Sequence, residues 1–387
     1  MVDFDYAAIQ RAAEEQILAA LRDVREKYPD EHIYAAIYGL FYLDGDNAYW
    51  PQLRIATEES LDIVDPEYRQ ESRWCWNDYY GDGEFLPHHY EPTDALESLS
   101  QQWADATVHL SDEDDPQWDK EAAKYLGIFP AALKAAKVRA FEEGLVEEGF
   151  IVLANDDDGE LIRQSLTREE LRACFPEIAA MQEEEERVAT LPQSQRLPLL
   201  VDYAISDQYD QAIGSERAEE MLWEDPDDSP VIAALLVEVL NGQRTGEKDR
   251  ALRLAAYNRY SMPELVAALS ECAANKSAKD YERNWAANAL ANLGHMDIVA
   301  QGYGSLPDSV IQKILYPYTA FREYGHRAPL DFRPLEQLLE DYPHVEQVLL
   351  KANYSEGRAL PDEHAEAQRG LKSQWAVIRK IAEEMLR

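Results

Sequence analysis

Few residues in this chain could do chemistry by type and spacing. His88 and His89 are adjacent in "PHHY" and follow Asp78, Asp82 and Glu84, a mixture of imidazole and carboxylate groups of the kind that holds zinc or manganese. Adjacent residues converge on one ion only where the backbone turns sharply, and neither H-E-x-x-H nor H-x-E accompanies them. A metal-dependent hydrolase built on this loop is therefore a rival reading, set against loop histidines with structural partners. "NDDDGE", residues 155–160, invites a calcium-loop reading. Placing Gly159 at the sixth position of such a loop puts Ala154 at the first, where a carboxylate is required, so a hairpin tip fits better. No G-x-S-x-G elbow, P-loop or G-x-G-x-x-G is present, and in so acidic a chain paired carboxylates carry no information about acid–base catalysis. No catalytic residue, metal ligand or cofactor is assigned, and the chain is not read as an enzyme.

Two stretches point to recognition instead. In "RWCWNDYYGDGEF" the rings of Trp74, Trp76, Tyr79 and Tyr80 crowd together and are followed by Asp82 and Glu84. Aromatic anchors edged with charge are the composition of binding hot spots, although rings this dense also fill small cores. In "SDEDDPQWD" the carboxylates of Asp112, Glu113, Asp114 and Asp115 stand at a helix start, where they complement the helix dipole or dock a basic partner.

Charge narrows the partner. The chain has 387 residues, 75 acidic against 37 basic, for a formal net charge of −38. Such a field repels phosphate backbones and anionic membranes over a Debye length of about 10 Å, which argues against nucleic acid and membrane and favours a basic partner. Cys75, Cys174 and Cys272 form no C-x-x-C pair, so neither a disulfide framework nor a cysteine zinc site is indicated. "MVDFDYAAIQRAAEEQ" lacks the basic and apolar regions of a signal peptide, and the longest apolar run, "VIAALLVEVL", is too short to span a bilayer, so a cytoplasmic location is expected.

The elements that must position these residues fall into two domains. Residues 1–178 read as an α+β domain with a mainly antiparallel sheet. Apolar positions from Ile9 to Val24 recur at helical spacing, predicting an amphipathic helix from Tyr6 to about Tyr28. The stretch 34–55 reads as a hairpin around Asp44-Gly45-Asp46-Asn47; its first strand is apolar on both faces and its second carries Pro51, which predicts an edge strand or a bulge there. After an irregular aromatic segment, Asp115-Pro116 and Pro130 open helices, the second running to about Glu148. A strand, an Asp158-Gly159 turn, a short strand and a helix with a Thr167-x-x-Glu170 capping box close the domain. Residues 179–198 read as a linker or joining helix. Residues 199–387 read as all-α, a HEAT-like helical-repeat solenoid or an irregular bundle of helices of about 12–18 residues. Its helix signals are Ser229-Pro230, Ser261-x-x-Glu264, Ser305-x-x-Asp308 and Gly294 as a C-cap, and "YERNWAANALANLGHMDIV" resembles the second helix and turn of a HEAT repeat.

"IYAAIYGLFYLDGDNAYWPQLRIATEES" and "FIVLANDDDGELIRQSL" make the first domain similar to a bacterial domain family of unknown function, with an N-terminal helix, an aromatic strand pair and a final acidic hairpin. That family looks like those encoded near polymorphic toxins, and the resemblance implies an immunity protein that binds and occludes a cognate toxin. It carries over no catalytic residues. A helical-repeat scaffold without toxin specificity is the remaining alternative.

Overall fold

The computed structural model describes residues 4–386 except 42, 45–46, 49–50, 76–78, 81–83, 86, 111–115, 157–158, 207–211, 224–228, 259, 261, 320–328, 354–358 and 361. The chain divides into two compact units, Met1–Gln182 and Glu183–Arg387. The first is α+β and the second, among the described residues, all-α.

In the first unit α1 (Tyr6–Lys27) begins where the Asp5 carboxylate accepts from the Ala8 amide at 3.0 Å, and ends with Arg25 and Lys27 in its last turn, where cations meet the carboxyl end of the helix dipole. Its buried stripe, Ile9, Ala13, Ile17, Leu21 and Val24, follows the predicted spacing. Four strands make the main sheet: β1 (Ile33–Gly39), β4 (Gln52–Thr57), β7 (His89–Tyr90) and β8 (Ile151–Ala154). The small pairs β2 (Leu43–Asp44) with β3 (Asn47–Ala48), and β5 (Tyr79–Tyr80) with β6 (Glu84–Phe85), stand outside it. The order is β7-β4-β1-β8, antiparallel except for the parallel β1–β8 pair.

Every residue of β1 is buried, as its apolar pattern predicts. Helices α1, α3 (Asp94–Thr107), α4 (Pro116–Leu126) and α5 (Ile128–Glu142) share one apolar cluster with Ala36, Tyr38, Leu53 and Ile55 of the sheet. The other face, with Ala35, Ile37 and Ala56, packs under Leu61, Val64, Ile162 and Leu171. The β1–β4 register shifts between Ile33 and Ala35, so the consecutive residues Tyr34 and Ala35 join the same cluster before alternation resumes. A bulge of this kind re-aims a side chain, and here the side chain is Tyr34.

Several expectations are corrected. β4 is interior, because β7 pairs along its outer side, and Pro51 sits just before the strand, where no ladder hydrogen bond is lost. The irregular aromatic segment contains α2 (Arg69–Ser72) and α3, the latter capped by Thr93, whose hydroxyl accepts from Leu96 at 3.3 Å. Pro130 lies inside α5, which starts at Ile128 and stops at Glu142 ahead of Gly144 at φ +69°. The acidic stretch before Gly159 is no hairpin: β8 leads into α6 (Glu160–Ser165), because the Asp156 carboxylate accepts from the amides of Leu161 and Ile162 at 3.1 and 3.3 Å. Burial raises the pKa of that carboxyl while those amides oppose the shift. The Thr167–Glu170 capping box forms as predicted at the start of α7 (Arg168–Cys174), and α8 (Pro176–Ala189) follows.

The second unit comprises α9 (Gln193–Ala204), α10 (Ser215–Trp223), α11 (Ser229–Leu240), α12 (Lys248–Tyr257), α13 (Pro263–Ala274), α14 (Asp280–Asn292), α15 (Met296–Gln301), α16 (Asp308–Ile311), α17 (Arg333–Asp341), α18 (Glu346–Leu349), α19 (His364–Gly370) and α20 (Ala376–Met385). They run from 4 to 13 residues: α9, α11, α13 and α14 reach the lower end of the expected length and the others are shorter. Contacts skip one helix: α9, α11, α13, α15 and α17 pack in succession, and α12, α14, α16, α18 and α20 form a second row. One apolar cluster runs from Val188 to Met385. Gly294, at φ +87°, stops α14 as expected, whereas the Ser305 signal does not cap a helix and Ser261 of the other predicted box lies outside the described residues. α13 is preceded by Met262 with Pro263 in its first turn, and the Ser305 hydroxyl donates to the Gly302 carbonyl at 2.8 Å, leaving Pro307 at the start of α16.

Candidate functional site

Trp74 is the one residue of the predicted aromatic and acidic clusters whose side chain the structure describes. Tyr79, Tyr80 and Glu84 are placed as strand positions in β5 and β6, while Trp76, Asp82, Asp112, Glu113, Asp114 and Asp115 lie outside the described residues. The Trp74 ring meets Tyr34 edge to face at 5.7 Å and Phe175 at 5.8 Å.

The loop bearing Trp74 is fixed from below. Arg54, on β4, is fully buried, and its guanidinium donates to the carbonyls of Cys75 at 2.5 Å and Ser72 at 3.3 Å and to the Ser60 hydroxyl at 3.4 Å. From the side, Asn155, which continues β8, donates to the Trp74 carbonyl at 2.7 Å. The Tyr34 hydroxyl donates to the Arg73 carbonyl at 2.7 Å, and burial pushes its pKa up to about 12, so it stays protonated and keeps donating.

Arg73 closes the arrangement. Its guanidinium lies 4.1 Å from the Tyr34 ring centroid and 5.4 Å from that of Trp74. It also makes a bidentate pair with Glu58, at 2.6 and 2.9 Å, which holds the Glu58 carboxyl below its ordinary range.

Two cavities open here. One of about 460 Å³ is lined by Trp74, Cys75, Asn155, Cys174, Phe175 and Ile178; the other, of about 310 Å³, by Glu58, Glu59, Asp62, Arg69 and Arg73. Gln70 borders both. The Trp74 Nε1 is buried without an acceptor. Burial pushes the Cys174 thiol up, away from the thiolate a nucleophile needs. The first recess is apolar and aromatic; in the second, Arg73 pairs with Glu58, and Arg69 with Asp62 at 3.5 Å.

The histidine pair does not converge. His88, at φ +64°, turns its ring onto Tyr28, with centroids 4.6 Å apart, and its Nε2 lies 2.7 Å from the Glu31 carboxylate. His89 enters β7 opposite Arg54. Among the described residues no group of three His, Cys, Asp or Glu side chains could hold a metal ion, and Asp78 and Asp82 lie outside those residues. The sequence reading left Arg54, beside Pro51 and Trp50, and the loop from Arg73 open to function but missed the parts of Tyr34, Asn155 and Phe175; the contacts that join these residues span 18 to 101 positions of chain. The aromatic-rich β1 pattern was the one local signal for Tyr34.

No family model matches the chain, and no curated protein does. Among solved structures it is similar to an engineered protein determined by the Northeast Structural Genomics Consortium, at 17% identity over 76% of this chain and 69% of that one. The TM-score of that match is 0.25, so it carries no argument about fold or function.

Proposed function

We infer that this chain is a binding protein of the immunity type, which neutralises a basic toxin by occluding it. The observation that carries the reading is the pairing of the Trp74–Phe175 recess with the neighbouring recess edged by Glu59 and Asp62, joined at Gln70. An apolar anchor of the partner fills the first and displaces water from the rings. A lysine or arginine beside that anchor meets the acidic edge of the second. The net charge of −38 speeds encounter with such a partner.

The resemblance of the first domain to toxin-associated families supports the same reading. The three free cysteines agree with a reducing, cytoplasmic setting, and no helix among the described residues is long and apolar enough to cross a membrane. The two-row packing of the second unit supports a HEAT-like repeat over an irregular bundle.

The test is expression of the adjacent gene product with and without this chain. The reading expects toxicity alone, tolerance together, and a complex that Trp74→Ala weakens. A harmless neighbour, or a complex indifferent to Trp74→Ala and Asp62→Lys alike, would overturn it.

A further inference from the structure

The second row of helices in the Glu183–Arg387 unit carries a strip of opposite character. Tyr257 of α12, Trp285 of α14 and Tyr316, in the 3-10 helix Gln312–Tyr318, lie edge to face in sequence, with centroids 5.6 and 6.4 Å apart. They come from three successive layers and are all half-buried, so a continuous aromatic track meets solvent. At one end the exposed Arg253 holds its guanidinium 5.7 Å from the Tyr257 ring and 5.9 Å from the Trp285 ring. Arg250 lies one turn before it on α12. At the other end is Lys313. Residues three apart eclipse in a 3-10 helix, so Lys313 and Tyr316 share a face.

These cations lack the partners that the chain has in excess. No described carboxylate makes an ion pair with Arg250, Arg253 or Lys313, although acidic residues outnumber basic ones 75 to 37. The carboxylate that faces Arg250 and Arg253 is Glu219 of α10, which acts on them through space. Lys313 is desolvated with no opposing charge, and its pKa falls accordingly. Asn284 and Asn288, flanking Trp285 on α14, each keep an Oδ1 with no donor.

We propose that the Arg253–Trp285–Lys313 strip is a docking surface for an extended acidic peptide segment of a partner protein, with carboxylates at the cationic ends and apolar or aromatic side chains on the rings. Charge complementarity selects this occupant, since a basic segment would face three cations without a close ion pair, of which only Arg250 and Arg253 have a carboxylate, Glu219, acting on them through space. Single-stranded nucleic acid also stacks on aromatic rings, but it carries a charge on every nucleotide and so meets more of the repulsion of a chain of net charge −38 than a segment whose carboxylates are confined to the two cationic ends. The strip is distinct from the Trp74 recesses and does not depend on their role.

The test is fluorescence anisotropy of a labelled synthetic peptide of alternating Glu and Tyr, titrated with the full chain. A Gln-for-Glu analogue and an oligothymidine serve as competing probes. Saturable binding of the Glu peptide is expected, weakened about tenfold or more by Arg253→Glu, by Lys313→Met, or by the Gln analogue, and unchanged by Trp74→Ala. Arg253 is exposed, so unchanged far-UV circular dichroism verifies that its variant is folded. No saturable binding, equal affinity for the Glu and Gln peptides, indifference to Arg253→Glu, or preference for oligothymidine would each overturn the proposal.

Discussion

The buried guanidinium of Arg54 donates to the carbonyl of Cys75 at 2.5 Å, tying the central strand β4 to the loop that presents Trp74. A charged side chain with no exposure is costly to bury, and its hydrogen bonds to carbonyls and a hydroxyl make the site specific in geometry. The ring of Trp74 is thereby held against Tyr34 and Phe175 and cannot collapse into the recess beside it.

Arg54→Met therefore strips donors from buried carbonyls. A loss of about 3 kcal/mol is expected, within the usual range for orphaning buried polar groups. Denaturant unfolding measures it, and a shift in tryptophan emission should accompany it as the Trp74 loop loosens.

Glu58 has a depressed carboxyl pKa, caused first by its hydrogen bonds from Arg73. A depressed acid contributes stability that is present above its unfolded value and is lost as pH falls through the folded one. Glu58→Gln should thus cost stability at neutral pH and nothing once the carboxyl is protonated in both states. Because the pair is partly exposed, about 0.5–1 kcal/mol is expected, read from urea midpoints at neutral and acid pH.

Glu219 has the opposite sign. Burial raises its pKa from 4.5 to about 7, against the attraction of Arg253 and with some repulsion from Glu216. The folded state then binds a proton that the unfolded state has released, so stability falls as pH rises from 4.5 to about 7. Glu219→Gln should unfold at higher denaturant than the parent by about 2 kcal/mol at alkaline pH, with the gap closing as pH drops below the unfolded value.

Gly370 ends α19 where a Cβ would stand 2.6 Å from the Phe332 ring and 2.8 Å from Ala382. Gly370→Ala forces those groups apart, and a loss of about 1–3 kcal/mol in thermal or denaturant unfolding follows from overpacking.

Local grammar made much of the scaffold legible. The spacing from Ile9 to Val24, the doubly apolar β1, Thr167 with Glu170, and the glycine after α14 each describe an interaction completed within a few residues. What stayed hidden depends on distant chain. Nothing near Pro51 announces that His89 and Tyr90 will cover the outer side of β4, and the Asp156 carboxylate decides between strand and helix after β8 by reaching five residues ahead. Trp74 stood out by its neighbours' composition, yet its ring is held by Tyr34 and Phe175, and the bulge that aims Tyr34 arises in pairing with β4.

The central claim, that the Trp74 recess and its acidic neighbour hold a basic partner, is tested most directly by surface plasmon resonance of the adjacent gene product on this chain. The account predicts that Trp74→Ala raises Kd about thirtyfold or more, chiefly through dissociation, as for a buried aromatic anchor. Asp62→Lys should slow association, and so should raising salt from about 0.05 M to about 0.5 M. A Kd unchanged by Trp74→Ala in a variant that keeps the parent's melting temperature, together with association indifferent to salt, would contradict it.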